Sequence, residues 1–214
     1  VVYICECERS WYEKSGKCCD VLSIDPYPGS QSAKMAVHVS EASIDAEKAG
    51  ESKRPIYNIL QVFKWGGYEP TSNDVRHMAY QALFSGNTGL GLFDVNDFGG
   101  ADSTGDDLWE RECFSGVKGF YEMESDDAFK AFVTGEYPTF AQNTNEKADV
   151  WYKLFVKDKD IYAVLINRRA EESSASIPLK SIDGTVSVGT FTAECADISG
   201  SPSFSGAGTL NVTL

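Results

Sequence analysis

The stretch Arg54–Phe63, RPIYNILQVF, decides how the first part of this chain is read. Its apolar residues are nearly continuous rather than alternating, the pattern of a strand covered on both faces and hence of a parallel sheet. Downstream, residues 70–93 read PTSNDVRHMAYQALFSGNTGLGLF. Thr71 can accept the first orphan amide of a helix, and Asp74 stands three residues later in the reciprocal capping position. Val75, Met78, Ala79, Ala82 and Leu83 then hold the i, i+3, i+4, i+7, i+8 stripe of an amphipathic helix, and Gly86 closes it. GLGLFDV comes next as another strand, whose alternating glycines admit a close neighbour.

The same grammar extends towards the N-terminus. VVYICE is a short β run, and helical spacing sets in from Trp11. DVLSIDPYPG is a strand ended by two prolines and a glycine. Residues 32–49 carry helical spacing, with Gly50 as a cap. Beyond the GLGLFDV strand, residues 107–120 give a further helix with Trp109, Cys113, Val117 and Phe120 on one side, and Ser125 is read as capping a short helix that carries Phe129, Phe132 and Val133. Four strand-helix units in succession predict an α/β parallel sheet with right-handed crossovers.

Past residue 145 the pattern changes. DVWYKLFVKDKDIYAVLINRR reads as a hairpin with a polar turn, and ASIPL, TVSVGTFTAE and GTLNVTL are short alternating strands. The expected organisation is an α/β domain over residues 1–145 and a small antiparallel β-sandwich over 146–214, joined in the polar segment TFAQNTNEK.

Charge narrows the partners. Nineteen Lys and Arg stand against 32 Asp and Glu, for a net charge of -13, so polyanions are repelled over most of the surface. Neither nucleic acid nor an anionic membrane is an expected partner, and no apolar run approaches the ~20 residues needed to cross a bilayer. A neutral ligand such as a sugar meets no such penalty. The six cysteines lack paired CxxC spacing and only two histidines could assist them, so no metal and no cofactor is expected. Cys5, Cys7, Cys18 and Cys19 read equally well as one or two bridges of an oxidising compartment or as plain thiols. Asn211-Val-Thr is a glycosylation sequon that acquires meaning in a secreted chain. Val1 opens directly inside an apolar run, without leader or initiator Met, the expectation for a processed chain or a fragment.

Four motifs in order, DVLSIDPYPG, RPIYNILQVFKW, PTSNDVRHMAYQALFSGNTGLGLFDVND and LWERE, resemble the closing strand-helix units of (β/α)8-barrel glycoside hydrolases. Those enzymes carry catalytic groups on the fourth and seventh strands and commonly append a β-sandwich. The resemblance spans residues 20 to 170. It implies the second half of a TIM-type barrel, with VVYICE as strand five and GLGLFDV as strand eight. The missing N-terminal half would then come from a parent chain, a second chain or self-association. It further implies an extracellular carbohydrate-active module that binds or hydrolyses an oligosaccharide or polysaccharide. The alternative is a noncatalytic extracellular structural or interaction protein that reuses the fold.

In such a barrel the chemistry sits at the carboxyl ends of the strands. Asp25 and Tyr27, then Gln61, Phe63 and Trp65, then Asp94 and Asp97 would gather there, and aromatics beside amides and carboxylates suit a pyranose. Asp25, Tyr27, Gln61, Phe63, Trp65 and Asp97 are the candidate substrate-binding residues. Glycoside hydrolysis normally needs two carboxylates. Strand seven offers Gln61 where the resemblance calls for a nucleophilic glutamate, and an amide cannot fill that role. The candidate catalytic carboxylates are therefore Glu6 and Glu8, placed two apart at the end of the first strand, and Asp94. Each has a plainer reading: Glu6 and Glu8 as a solvated strand end, Asp25 as a turn former before proline, Asp94 and Asp97 as loop caps, Trp65 as packing.

Overall fold

The computed structural model describes residues 1–27, 55–64, 67–84, 86–93, 112–122, 126–137, 139–145, 147–158, 160–169, 171–179, 203–205 and 209–213. The chain divides into two compact units, Val1–Glu136 and Tyr137–Leu214.

In the first unit, β1 (Tyr3–Glu6), β2 (Val21–Ile24), β3 (Ile56–Gln61) and β4 (Gly89–Phe93) form one sheet in the order β1-β2-β3-β4. All three pairings are parallel. The expected parallel sheet is therefore present, its neighbours following chain order. Three helices of this unit lie outside the sheet strands in sequence: α1 (Arg9–Gly16) between β1 and β2, α2 (Ser72–Phe84) between β3 and β4, and α3 (Glu112–Glu122) after β4. The helix expected over residues 32–49 falls outside the described residues, as do residues 107–111 of the helix expected over 107–120.

Period-two alternation sorts the sheet into two unlike faces. One carries Leu22, Ile24, Ile56, Leu60 and Val62, all nearly or fully buried. Tyr12 of α1 packs with Leu22, Ile24 and Ile56, while Val75, Met78 and Ala79 of α2 and Cys113 and Phe114 of α3 pack with Leu60 and Val62. Each such aliphatic side chain withdrawn from water contributes about 1.5–3 kcal/mol, so this face holds the helices to the sheet. A fourth helix, α4 (Asp127–Thr134), joins the same layer through Phe129 against Tyr80 and Phe132 against Phe84. The other face presents Tyr3, Cys5, Ser23, Tyr57, Ile59 and the glycines of β4. Tyr3 and Tyr57 are exposed there, and none of the four described helices has its core contacts on that face.

Local chemistry explains the helix limits. Thr71 and Asp74 form the expected reciprocal cap: the Asp74 amide donates to Thr71 Oγ1 at 3.2 Å and the Thr71 amide donates to Asp74 Oδ2 at 2.8 Å. Tyr68 adds its hydroxyl to the same carboxylate. Gly86, at φ +89°, takes the left-handed conformation that ends α2. For α4 the cap is Asp126, whose Oδ1 accepts from the Phe129 amide at 2.8 Å, and not Ser125, which lies outside the described residues. An aspartate one residue later offers the same acceptor at the same spacing, so sequence alone leaves the two in competition.

The close approach of α3 to α2 rests on Gly116. A methyl group there would meet the backbone of Ser72, with the Ser72 Cα and carbonyl carbon each 3.1 Å away. In β4, a Cβ on Gly89 would lie 2.6 Å from the Tyr57 ring and one on Gly91 2.6 Å from Ile59 Cδ1. The side chains of β3 thus lie across the bare backbone of β4, the close approach expected from the alternating glycines.

The second unit holds two antiparallel sheets, one of β5 (Thr139–Asn143), β6 (Val150–Lys157) and β7 (Asp160–Asn167), the other of β8 (Ser174–Pro178), β10 (Thr209–Thr213) and β9 (Ser203–Ser205). The expected hairpin is β6-β7, with Lys157 opposite Asp160 and Asp158 at φ +57° in the turn. Leu154 of β6 clusters with Ile177 of β8 and with Leu179 just beyond it. Trp151 is buried under the Arg168 guanidinium, 4.2 Å from its ring centroid. The segment expected as a polar connection is in part a strand: β5 begins at Thr139 and pairs with β6, with a register shift between Thr139 and Ala141. The second compact unit runs from Tyr137 to Leu214. TVSVGTFTAE lies outside the described residues, and the short β9 carried no expectation.

Candidate functional site

A parallel sheet in chain order delivers the carboxyl ends of its strands to one edge of the molecule, and side chains just past those ends share it. The end of β1 carries Glu6, that of β2 Asp25 and Tyr27, that of β3 Gln61 and Phe63, and that of β4 Phe93. Backbone bonds fix the levels: the Asp25 amide donates to the Glu6 carbonyl at 3.3 Å and the Val62 amide to the Phe93 carbonyl at 2.9 Å.

Three rings from three strands meet here. Tyr27 and Phe63 are edge-on with centroids 5.1 Å apart, Phe63 and Phe93 are edge-on at 5.6 Å, and Tyr27 and Phe93 are stacked at 5.7 Å. All distances fall in the range of favourable aromatic pairs. Phe93 remains 39% exposed, so the cluster offers a ring to solvent. Phe93 was not among the residues expected at the site. The signal was present, since residues two apart in GLGLF share a face and Phe93 ends that row.

The polar groups beside the rings fall into two sorts. Gln61 is fully buried, and its Nε2 donates to the Phe63 carbonyl at 3.0 Å, which holds the start of the β3 loop. Asp25 is half-buried, and the Tyr27 hydroxyl donates to its Oδ2 at 2.9 Å. Its Oδ1 is buried without a hydrogen-bond partner. Burial raises the Asp25 carboxyl above the usual carboxylate range, against the opposing pull of the Tyr27 hydrogen bond. Burial, reinforced by the same carboxylate, also raises the Cys5 thiol and the hydroxyls of Tyr27 and Tyr12. Cys5 faces Ser23 across the β1-β2 pair, and Ser23 stands two residues before Asp25.

The glutamates separate. Strand β1 ends at Glu6, whose carboxylate accepts from Ser15 Oγ of α1 at 3.2 Å and from the Glu8 amide at 3.4 Å. Glu8 is not on the strand: it is the N-cap residue of α1 and is exposed. The chain turns into helix at once after Glu6, which ends the period-two relation the two residues were expected to share. Trp65, Asp94 and Asp97 lie outside the described residues. Among the described cysteines, Cys5, Cys7 and Cys18 are free thiols. The described residues contain no group of three or more His, Cys, Asp or Glu suited to a metal and no helix long and apolar enough to cross a membrane.

Comparison of the chain with protein-family models, with curated proteins and with solved structures finds no match.

Proposed function

We propose that this chain is a glycoside-hydrolase-like carbohydrate-active module, the second half of a (β/α)8 barrel followed by a β-sandwich, which takes a neutral oligosaccharide or polysaccharide at the carboxyl rim of its parallel sheet. The observation that carries the reading is the ring cluster of Tyr27, Phe63 and Phe93 beside the Asp25 carboxyl. Aromatic faces match the apolar faces of a pyranose, and a carboxyl beside them matches its hydroxyls. The net charge of -13 favours a neutral ligand over an anionic one.

The barrel half of the proposal draws on two features. Strand order follows chain order, whereas a doubly wound sheet reverses at a switch point and carries helices on both faces. The described helices pack on one face only, and the opposite face leaves Tyr3 and Tyr57 exposed where a closed barrel has its interior. A second half-barrel, from a parent chain, another chain or a second copy, would cover them. The sequon Asn211-Val-Thr accords with an extracellular setting.

A noncatalytic binding or structural role has its own support in Gln61. Its amide is buried and committed to the Phe63 carbonyl, so this strand end supplies no carboxylate for a covalent or general-base step. The test is a panel of neutral polysaccharides and aryl glycosides, with binding and turnover measured on the full chain and on Phe63→Ala and Phe93→Ala. The proposal expects at least one saccharide to bind and the variants to lose most of that binding. Absence of binding across the panel would refute it, and binding without turnover selects the noncatalytic role.

A further inference from the structure

The chain's one sequon, Asn211-Val-Thr, lies within β10, the central strand of the β8-β10-β9 sheet. Antiparallel register sets Asn211 opposite Ser176 of β8 and opposite Ser203 of β9. Residues directly opposite in a ladder share a face of the sheet, and alternate residues of a strand return to it. Ser174, Ser176 and Pro178 of β8 are all exposed, whereas Ile177 between them is fully buried and clusters with Leu154. Asn211 and Thr213 therefore hold register positions in the solvent row, and Leu210, opposite Ile177, holds one in the core row. Every position of the solvent row, on all three strands, is Ser, Thr, Asn or Pro. None is charged, in a chain that carries charge on 24% of its residues. We propose that Asn211 is an N-glycosylation site, and that its glycan hydrates a sheet face that charge leaves bare.

The inference rests on the extracellular setting of the function proposed above and is independent of the ring cluster. In the transfer, the Asn211 side-chain nitrogen forms a bond to the anomeric carbon of an oligosaccharide carried on a lipid diphosphate. The bond from that carbon to the diphosphate oxygen breaks, the lipid diphosphate leaves with the electron pair, and the amide nitrogen gives up one proton. Thr213 supplies the hydroxyl that the sequon requires two residues on. A strand hydrogen-bonded on both sides cannot be drawn into a transferase, so the reaction belongs to the chain before this sheet closes. The register then decides whether the product folds. In the Leu210 row an attached sugar would be buried among apolar side chains, at the cost of its unpaired hydroxyls. In the Ser176 row it stays in water, and the residues opposite Asn211 on both neighbouring strands are serines, small enough to leave room above the sheet. A face without charge also lacks the local repulsion that keeps copies of a chain apart, and a bulky hydrated glycan replaces it.

The experiment expresses the full chain through the secretory pathway of a eukaryotic cell in three forms. These are wild type, Asn211→Gln, and Asn211→Gln combined with Ser176→Asn and Pro178→Thr, which moves the sequon to the position directly opposite in the same row. Glycan is read on secreted and cell-retained chain alike, by intact mass before and after treatment with an amidase that releases N-linked glycans. The expected result is a glycan on wild type, none on Asn211→Gln, and a glycan again on the triple variant. In sedimentation, Asn211→Gln should associate at concentrations where wild type and the triple variant stay monomeric, while its urea midpoint stays that of wild type. A wild-type chain that carries no glycan overturns the inference. Association that is the same with and without the glycan, or that the triple variant does not reverse, overturns the role given to it. The saccharide panel is read on the same glycosylated protein: if nothing binds its rim, the function proposed above fails and the glycan at Asn211 stands.

Discussion

Gly116→Ala separates a helix that is merely adjacent from one that is locked in place. In an isolated helix interior the change would stabilise by about 1 kcal/mol, because alanine loses less backbone entropy than glycine. In α3 the new methyl meets the Ser72 backbone, with carbon atoms at 3.1 Å. Backbone cannot rotate away as a side chain can, so α3 must move from α2 or the first turn of α2 must distort. Overpacking of this kind typically costs about 1–3 kcal/mol, the same size as the propensity gain or larger. The net expectation is destabilisation of up to about 2 kcal/mol. Gly119→Ala, three residues along the same helix, supplies the control. There the atoms nearest to a Cβ belong to the Arg76 guanidinium, at 3.2 Å, the far end of a flexible side chain. The propensity term should win, for a gain of up to about 1 kcal/mol. Urea unfolding of the three proteins at equal m-value reads the difference as a shift in midpoint. If Gly116→Ala gains stability as Gly119→Ala does, the close contact of α3 with α2 is wrong, and with it the single-sided helix layer.

Thr71→Ala removes the acceptor for the Asp74 amide and should cost about 1 kcal/mol by urea unfolding, whereas Thr71→Ser should cost little. Arg168→Ala takes the guanidinium from the Trp151 ring and from the carbonyls of Asn145 and Ala148, and should destabilise by about 2–3 kcal/mol with a change in Trp151 fluorescence; an unchanged midpoint would remove this residue from the account. The Asp25 carboxyl, raised on folding, binds more protons in the native than in the unfolded chain between its two pKa values. Stability should therefore fall as pH rises from the ordinary aspartate range through the raised native value, and Asp25→Asn should flatten that segment of the pH-stability curve.

The legibility of the fold in the sequence divides along the strength of local rules. The parallel sheet was legible in RPIYNILQVF because its apolar residues run nearly without a break, and α2 was legible because its cap, stripe and terminal glycine agree. The α4 cap was misplaced by one residue, since Ser125 and Asp126 offer equivalent acceptors and only backbone geometry chooses between them. Strand β5 was hidden in TFAQNTNEK because its partner β6, and not its own composition, makes it a strand. At the rim, Asp25, Tyr27 and Phe63 are legible from their positions just past the strand ends. Phe93 was legible too, as the end of the row of alternate residues in GLGLF, and the three rings together show its place. Glu8 seemed paired with Glu6 only while the strand was assumed to continue.

The most direct test of the central claim is an NMR titration of a neutral oligosaccharide into protein with ring-labelled tyrosine and phenylalanine. The account predicts that Tyr27, Phe63 and Phe93 shift together along one saturating isotherm, as rings on three strand ends sharing a single ligand must. Resonances that stay still, or that move with different midpoints while residues elsewhere respond first, would contradict a common sugar-binding mouth.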